Sequence, residues 1–145
     1  MIALVQRVRE ARVEVAGRVT GSVGAGLLVF VCAEPQDDEA AAARLVAKLL
    51  KLRILADESG RMNRSVQDTG GGLLVVSQFT LAADTSGGNR PSFTGAAPAV
   101  QGRALYEQVL ALARASGLLV GAGEFGADMQ VHLINDGPVT IPMRV

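Results

Sequence analysis

The sequence has little of the chemistry that most metal-binding and redox proteins use: one cysteine, one histidine, one tyrosine and no tryptophan in 145 residues. A lone cysteine, Cys32, excludes a disulfide within the chain, and there is no cysteine cluster to hold a metal ion. Cys32 lies inside the apolar run LLVFVCA, which favours a buried structural thiol over a reactive one. We therefore expect neither a metal ion nor another cofactor.

A charge imbalance and long apolar runs are missing as well. The 14 basic and 14 acidic residues cancel, so no overall field attracts nucleic acid, although one end of an RNA can still bind. The longest apolar run, residues 24–33, is half as long as the roughly 20 residues that a membrane-spanning helix needs. The N-terminus MIALVQRVRE lacks the pattern of a secretory signal. These absences predict a cytoplasmic protein without a membrane segment.

The motifs of the common hydrolases and nucleotide-binding enzymes are also absent. The sequence has no GxSxG, HExxH or GxxxxGK[ST] pattern, and its GxGxxG match at residues 121–126 is followed by a predicted strand instead of a helix. Serine esterase, zinc protease, nucleotidase and dinucleotide functions therefore lack support. A catalytic triad would need His132 beside a serine and a carboxylate, and no motif predicts that arrangement. Any chemistry here has to use less conspicuous groups.

What is present predicts one α/β domain over residues 1–145. With 49% hydrophobic and 19% charged residues, the chain can build a core of its own. Alternating and β-branched stretches separated by glycines predict a β meander in the first 33 residues. Its predicted strands cover residues 2–8, 12–16, 19–23 and 27–32.

Two helices and further strands follow. An acidic group before an alanine-rich segment predicts a helix over residues 37–52. Pro98 near its start and Gly117 just past its end mark a second helix. Strands are predicted at residues 53–56, 73–79, 129–135 and 139–143, with a shorter one around 62–66 and a turn at 136–138. This order favours a mixed, mostly antiparallel sheet curled into a barrel-like roll with two main helices.

Three basic residues form a stripe on the first predicted helix. Arg44, Lys48 and Lys51 follow one another at spacings of four and three, so they lie on one face, away from the apolar face. Such a stripe is typical of a solvated helix surface. An RNA contact remains the alternative.

Two polar segments occur where predicted strands end. In Ser77-Gln78-Phe79-Thr80-Leu81 the apolar strand passes into hydroxyl and amide groups, which is also what an ordinary strand end with capping hydroxyls looks like. In residues 135–140, NDGPVT, a Gly-Pro bond at a hairpin tip is a natural place for a cis peptide, although a plain turn without a function is the favoured explanation. Spacing alone favours an ordinary strand end and a plain turn over functional segments.

Together the two segments resemble the D-aminoacyl-tRNA deacylase family. The resemblance runs from IALVQRV near the N-terminus through SQFTLAADTSGGNRPSF at 77–93 to FGADMQVHLINDGPVT at 125–140, and so covers essentially the whole chain. It implies a homodimer that hydrolyses the ester between a D-amino acid and the 3′-terminal adenosine of tRNA, and that also accepts glycyl-tRNA.

The resemblance also implies roles for particular residues. In the family a cis Gly-Pro pair, here Gly137 and Pro138, reaches into the pocket of the other subunit and rejects L-amino acids, and Arg7 matches the arginine that supports it. Phe79 and Thr80 inherit catalytic positioning and oxyanion stabilisation. Substrate-binding roles fall to Ser77, Gln78 and Met129.

One departure and two alternatives accompany this interpretation. Many relatives carry a basic residue where this chain has Ser86-Gly87-Gly88, so a phosphate contact is lost or moved to Arg90. A non-catalytic module that binds the tRNA 3′ end would have the same pocket. A general esterase acting on small D-amino-acid esters is the other alternative.

Overall fold

The first three strands form one long hairpin. In the computed structural model, which describes residues 1–145, β1 spans Ile2–Val15, β2 spans Arg18–Val23 and β3 spans Gly26–Cys32. β2 and β3 lie one after the other along the same edge of β1: residues 11–15 of β1 pair antiparallel with β2, and residues 2–8 pair antiparallel with β3. The connection at Ala16 and Gly17 has positive φ at both residues, the geometry that matches the twist of a two-residue hairpin.

The predicted break between residues 8 and 12 does not exist, because β1 runs through it. Arg9 and Glu10 are exposed and lie where the pairing with the last strand shifts register. Their polarity reflects exposure at this irregularity, whereas the backbone stays extended. The prediction of two separate strands was therefore wrong at this point.

The sheet continues from both edges of this hairpin. Its strands follow the order β2-β1-β3-β6-β7, and β8 pairs with the other edge of β1. β6 runs parallel to β3, and β7 runs parallel to β6. The remaining strands are β4 (Leu55–Ala56), β5 (Met62–Arg64), β6 (Gly72–Ser77), β7 (Val120–Ala122) and β8 (Gln130–Arg144).

The sheet curls until its two ends nearly meet. A Cβ on Gly21 of β2 would lie 2.4 Å from the carbonyl oxygen of Ala122 in β7, and one on Gly121 would lie 3.0 Å from the nitrogen of Ser22. The Thr20 hydroxyl donates to the Ala122 carbonyl at 3.2 Å across the same contact. Glycine is needed here because the backbones approach so closely. The predicted mixed sheet, nearly closed into a barrel, is confirmed.

Two helices cover the outer face of the sheet and bury the larger core. They are α1 (Glu39–Lys51) and α3 (Ala99–Arg114), and α2 (Val66–Thr69) is a single turn. α1 begins at Asp38, whose carboxylate accepts a hydrogen bond from the Ala41 amide at 2.8 Å, and its apolar face is buried. Both main helices were predicted to within a few residues. None of the helices has the length and apolar character needed to cross a membrane.

Residues 130–144 form one strand, β8, where two strands around a turn were predicted. β8 pairs with β1 on both sides of residues 136–139, with Asn135 opposite Val8 and Thr140 opposite Gln6. The extra residues of β8 therefore leave the ladder as a bulge and the chain does not reverse. The Asn135 amide bridges the bulge by donating to the carbonyls of Arg7 (2.9 Å) and Val139 (3.0 Å). The Gly137-Pro138 peptide is cis, but the predicted hairpin tip was wrong.

Tyr106 ties α3 to the sheet and allows a test of this packing. Its hydroxyl donates to the carbonyls of Val75 (2.9 Å) and Gly123 (3.3 Å), and burial raises the pKa of Tyr106 to about 12. We expect Tyr106→Phe to lower the free energy of unfolding by about 1–2 kcal/mol, because the Val75 and Gly123 carbonyls lose the one hydroxyl proton that they share. Urea denaturation measures this loss.

The same residue predicts a pH dependence. Tyrosine titrates near 10 when unfolded and at about 12 here, so its contribution to stability is complete below pH 10 and is lost as the pH rises to 12. The Tyr106→Phe variant lacks that part of the alkaline loss. Equal stability and an equal alkaline slope in both proteins would contradict this role.

Candidate active site

The segment Ser77–Thr80 lies where two parallel strands end. Ser77 is opposite Val31 in the β3–β6 ladder, and the Gln78 amide donates to the Val31 carbonyl at 2.7 Å. The chain then leaves the sheet in a 3₁₀ turn over Phe79–Ala82. Strand ends that leave a sheet in this way bring polar groups to one edge, a common location for ligand sites in α/β proteins.

A cleft of about 340 Å³ opens beside this turn. Its volume lies at the low end for ligand pockets, which gives room for one ring system or side chain. Phe79 is 58% exposed and meets Phe93 edge to face, with ring centroids 5.3 Å apart. The lining is Val31, Cys32, Ala33, Ser77, Phe79, Phe93, Ala96, Ala97, Ala99, Gly102 and Phe125.

Thr80 has no base to activate it. The Gln78 side-chain amide donates to the Thr80 hydroxyl oxygen at 2.5 Å, so the hydroxyl oxygen already serves as an acceptor. No carboxylate or imidazole forms a hydrogen bond with either residue. This geometry suits a positioning role for the pair and gives no support for nucleophilic attack by Thr80.

Cys32 is buried, as predicted, although it contributes to the cleft wall. It is 3% exposed, and its thiol donates to the carbonyls of Ala33 (3.3 Å) and Phe79 (3.6 Å). Burial, with a smaller contribution from the neighbouring Glu34 carboxylate, raises the pKa of the Cys32 thiol. A protonated thiol is a poor nucleophile, so Cys32 is a packing residue here.

His132 belongs to a different part of the surface. Its Nε2 lies 3.4 Å from Glu14, and a hydrogen bond from Arg12 (2.8 Å) holds the pKa of Glu14 below its usual range, with His132 adding to the effect. His132 is opposite Arg12 in the β1–β8 ladder, whereas the cleft lies near Ile2, ten residues away along β1. His132 cannot act as a base for the Ser77–Thr80 segment of the same chain.

Arg7 holds the bulge that contains Gly137 and Pro138. Its Nε donates to the Asp136 carbonyl at 2.7 Å and its Nη1 donates to the Ile54 carbonyl at 2.8 Å. A Cβ on Gly137 would lie 2.1 Å from the Val139 nitrogen, so no side chain fits there. Gly137 and Pro138 themselves are exposed.

Within one chain the Gly137-Pro138 bulge lies far from the cleft. The strands β8, β1, β3 and β6 lie side by side, so Gly137 and Ser77 are three strand spacings apart, about 14 Å at roughly 4.8 Å each. They also differ by several residues along the sheet. Ser77 and Phe79 share the cleft, and Gly137 and Pro138 do not reach it.

Met129 and Arg90 are likewise placed outside the cleft. A Cβ on Gly123 would lie 2.8 Å from the Met129 sulfur, and Met129 packs with Leu74 and Val76 inside the barrel. Side chains alternate across a strand, so these residues face away from Ser77. Arg90 is exposed in the loop after the 3₁₀ turn.

The aromatic wall of the cleft was missed by sequence reasoning. Three of the chain's four phenylalanines, Phe79, Phe93 and Phe125, line it, and Arg103 lies over the Phe125 ring at 4.7 Å. In a sequence that is only 3% aromatic, the two phenylalanines within 77–93 were the available signal. Phe125 comes from a separate segment, and only folding places it beside them.

Comparisons with known proteins agree with the resemblance described above. The family model for D-Tyr-tRNA(Tyr) deacylase matches residues 4–144. A D-aminoacyl-tRNA deacylase of Methylibium petroleiphilum is 68% identical, with 100% of this chain and 95% of the relative covered. One of Variovorax paradoxus is 67% identical, with 100% and 99% covered.

Solved structures share the fold. A protein described as c-Myc DNA Unwinding Element Binding Protein matches with a TM-score of 0.94 at 40% identity, covering 100% of this chain and 99% of that one. A probable eukaryotic D-amino acid tRNA deacylase matches with a TM-score of 0.86 at 17% identity, covering 98% and 97%, a likeness of fold alone. The chain therefore belongs to the D-Tyr-tRNA(Tyr) deacylase family.

Proposed function

We propose that this protein is an editing enzyme that hydrolyses the ester of D-aminoacyl-tRNA, releasing the D-amino acid and free tRNA. The observation that carries the proposal is the full-length match to D-aminoacyl-tRNA deacylases. In addition, the Ser77–Thr80 segment lies at the rim of an apolar cleft. The terminal adenosine and the amino acid bind at this rim. Such a substrate agrees with the predicted cytoplasmic location.

Hydrolysis here depends on positioning. An ester is already reactive toward water, so fixing its orientation and donating hydrogen bonds to the developing oxyanion accelerates the reaction without a triad. Phe79 and Thr80 begin the 3₁₀ turn, where backbone N–H groups have no partner within the helix. They stabilise the oxyanion, Ser77 and Gln78 bind substrate, and the substrate's own 2′-hydroxyl assists the attacking water.

Selection between mirror-image substrates comes from a second copy of the chain. The roughly 14 Å separation between Gly137 and Ser77 leaves Gly137 and Pro138 unused by their own cleft, and their exposure leaves them free to enter another. In the homodimer their main-chain carbonyls form one side of the partner's pocket, and Arg7 holds the Gly137-Pro138 bulge in place. An L side chain collides with these carbonyls, whereas a D side chain points away.

Glycine has no side chain to collide, so glycyl-tRNA passes the same filter. The enzyme therefore also clears tRNA(Ala) mischarged with glycine. Arg90, in the loop that follows the site, takes the place of the basic residue that relatives carry near 86–88.

Catalytic turnover tests the proposal. Purified protein at a tenth of the substrate concentration is incubated with D-tyrosyl-tRNA, and released D-tyrosine is measured. We expect many substrate molecules to be cleaved per protein molecule. Release of no more than one equivalent would instead support a binding module. A general esterase would cleave D-tyrosine methyl ester as efficiently as the tRNA ester.

A further inference from the structure

The exposed face of α1 carries cations that have no partner within the chain. Arg44, Lys48 and Lys51 are all exposed. None of them forms an ion pair, whereas seven arginines elsewhere do. Beyond Glu39 the helix has no acidic residue, and its other exposed positions are alanines. In a chain of zero net charge, this face is a local concentration of positive charge.

Helix stability accounts for only part of this pattern. Lys48 and Lys51 lie in the last turn of α1, where cations interact favourably with the helix dipole. Arg44 lies a turn earlier, outside the range of that effect. Arg53, just after the helix, adds a fourth exposed cation, and its guanidinium is oriented by the backbone carbonyl and side chain of Asn63, both at 2.9 Å, instead of by a carboxylate.

The cationic face leads toward the Gly137-Pro138 bulge. α1 ends at Lys51, and the Ile54 carbonyl three residues later accepts a hydrogen bond from Arg7, which also binds the Asp136 carbonyl. Arg44 and Lys51 are seven residues apart, about 10 Å along the helix axis at roughly 1.5 Å per residue. Three cations spread over that length can contact successive phosphates of one strand.

We propose that Arg44, Lys48 and Lys51 bind the phosphate backbone of the substrate's acceptor stem, on the tRNA whose 3′ end enters the partner subunit's cleft. This inference rests on the proposed function. Lysine and arginine bind RNA backbone through phosphate charge without reading sequence. The contact therefore helps every tRNA equally and acts on binding, not on the chemical step.

The test uses the double variant Arg44→Gln/Lys48→Gln, with Arg18→Gln/Arg114→Gln as a control of equal charge change on other exposed sites. Hydrolysis of D-tyrosyl-tRNA is measured from 50 to 300 mM salt. For the Arg44/Lys48 variant we expect KM at low salt to rise about fivefold to tenfold with kcat unchanged. The slope of log(kcat/KM) against log salt should become less negative by about 1.4–1.8, since each phosphate contact contributes roughly 0.7–0.9. The control should match the unmodified protein.

A second substrate separates this proposal from the proposed function. D-tyrosyl-adenosine carries the ester but no phosphate backbone, so the Arg44/Lys48 variant should cleave it at the unmodified rate. An unchanged KM and salt slope with tRNA, or an equal loss on D-tyrosyl-adenosine, would overturn the phosphate contact. Failure of the unmodified protein to cleave either ester would instead overturn the proposed function. Thermal melting verifies that both variants are folded.

Discussion

Under single-turnover conditions we expect D-tyrosyl-tRNA and glycyl-tRNA to be deacylated at similar rates, and L-tyrosyl-tRNA at least about 10³-fold more slowly. A factor of that size corresponds to about 4 kcal/mol of transition-state energy. A side chain forced against a rigid main-chain wall can supply it, because discrimination by collision does not depend on weak attractive contacts. Glycine lacks the colliding group and is therefore accepted.

The three substrates are best compared on one tRNA, with enzyme in excess and spontaneous hydrolysis of each ester subtracted. Glycyl-tRNA is the informative member of the set. Slow cleavage of both glycyl- and L-tyrosyl-tRNA would indicate that the pocket recognises the D side chain itself and does not select by steric exclusion of the L side chain. Cleavage of the L ester at a rate similar to the D ester would overturn the role of Gly137 and Pro138.

Mixing two inactive variants should restore activity if the Gly137-Pro138 bulge serves the other subunit. Gly137→Val fills a position where a Cβ would lie 2.1 Å from the Val139 nitrogen, so it deforms the bulge and leaves its own cleft intact. Gln78→Ala/Phe79→Ala damages the cleft and leaves the bulge intact. Each homodimer should lose most of its activity, the first because the misplaced valine obstructs the partner's pocket for D and L esters alike, and the second because its own cleft no longer holds the substrate.

In a heterodimer of these variants, one of the two sites combines an intact cleft with an intact bulge. Random exchange makes half of the dimers mixed, so about a quarter of the unmodified activity should return, since an isologous dimer repeats each contact twice. The subunits are exchanged by co-refolding, and hydrolysis of D-tyrosyl-tRNA is measured. An inactive mixture would contradict a shared pocket.

A matched glycine variant controls for nonspecific damage. A Cβ on Gly24 would meet nothing within 4 Å, and its φ is not in the left-handed region. Gly24→Val should therefore be as active as the unmodified protein, both alone and in mixtures. Loss of activity in this variant would show that the effect of Gly137→Val is not specific to the bulge.

Local patterns in the sequence predicted the main elements well. Both main helices follow from capping residues and one apolar face, and burial of Cys32 follows from the apolar run around it. These features depend on residues that are only a few positions apart in the chain, so the sequence alone is enough to predict them. The Ser77–Thr80 segment and the Gly137-Pro138 pair were assigned functions by resemblance, since their local spacing alone favours an ordinary strand end and a plain turn.

Local sequence patterns and the family resemblance were thus enough to predict one α/β domain, its helices, most of its strands and its family. The bulge at residues 136–139 could not be predicted in this way, because turn-forming residues do not reverse the chain when both flanks pair with β1. The tertiary structure also placed Phe125 beside Phe79 and Phe93, and Gly137 three strands from Ser77. Those positions depend on pairings between residues far apart in the chain, which local periodicity does not encode.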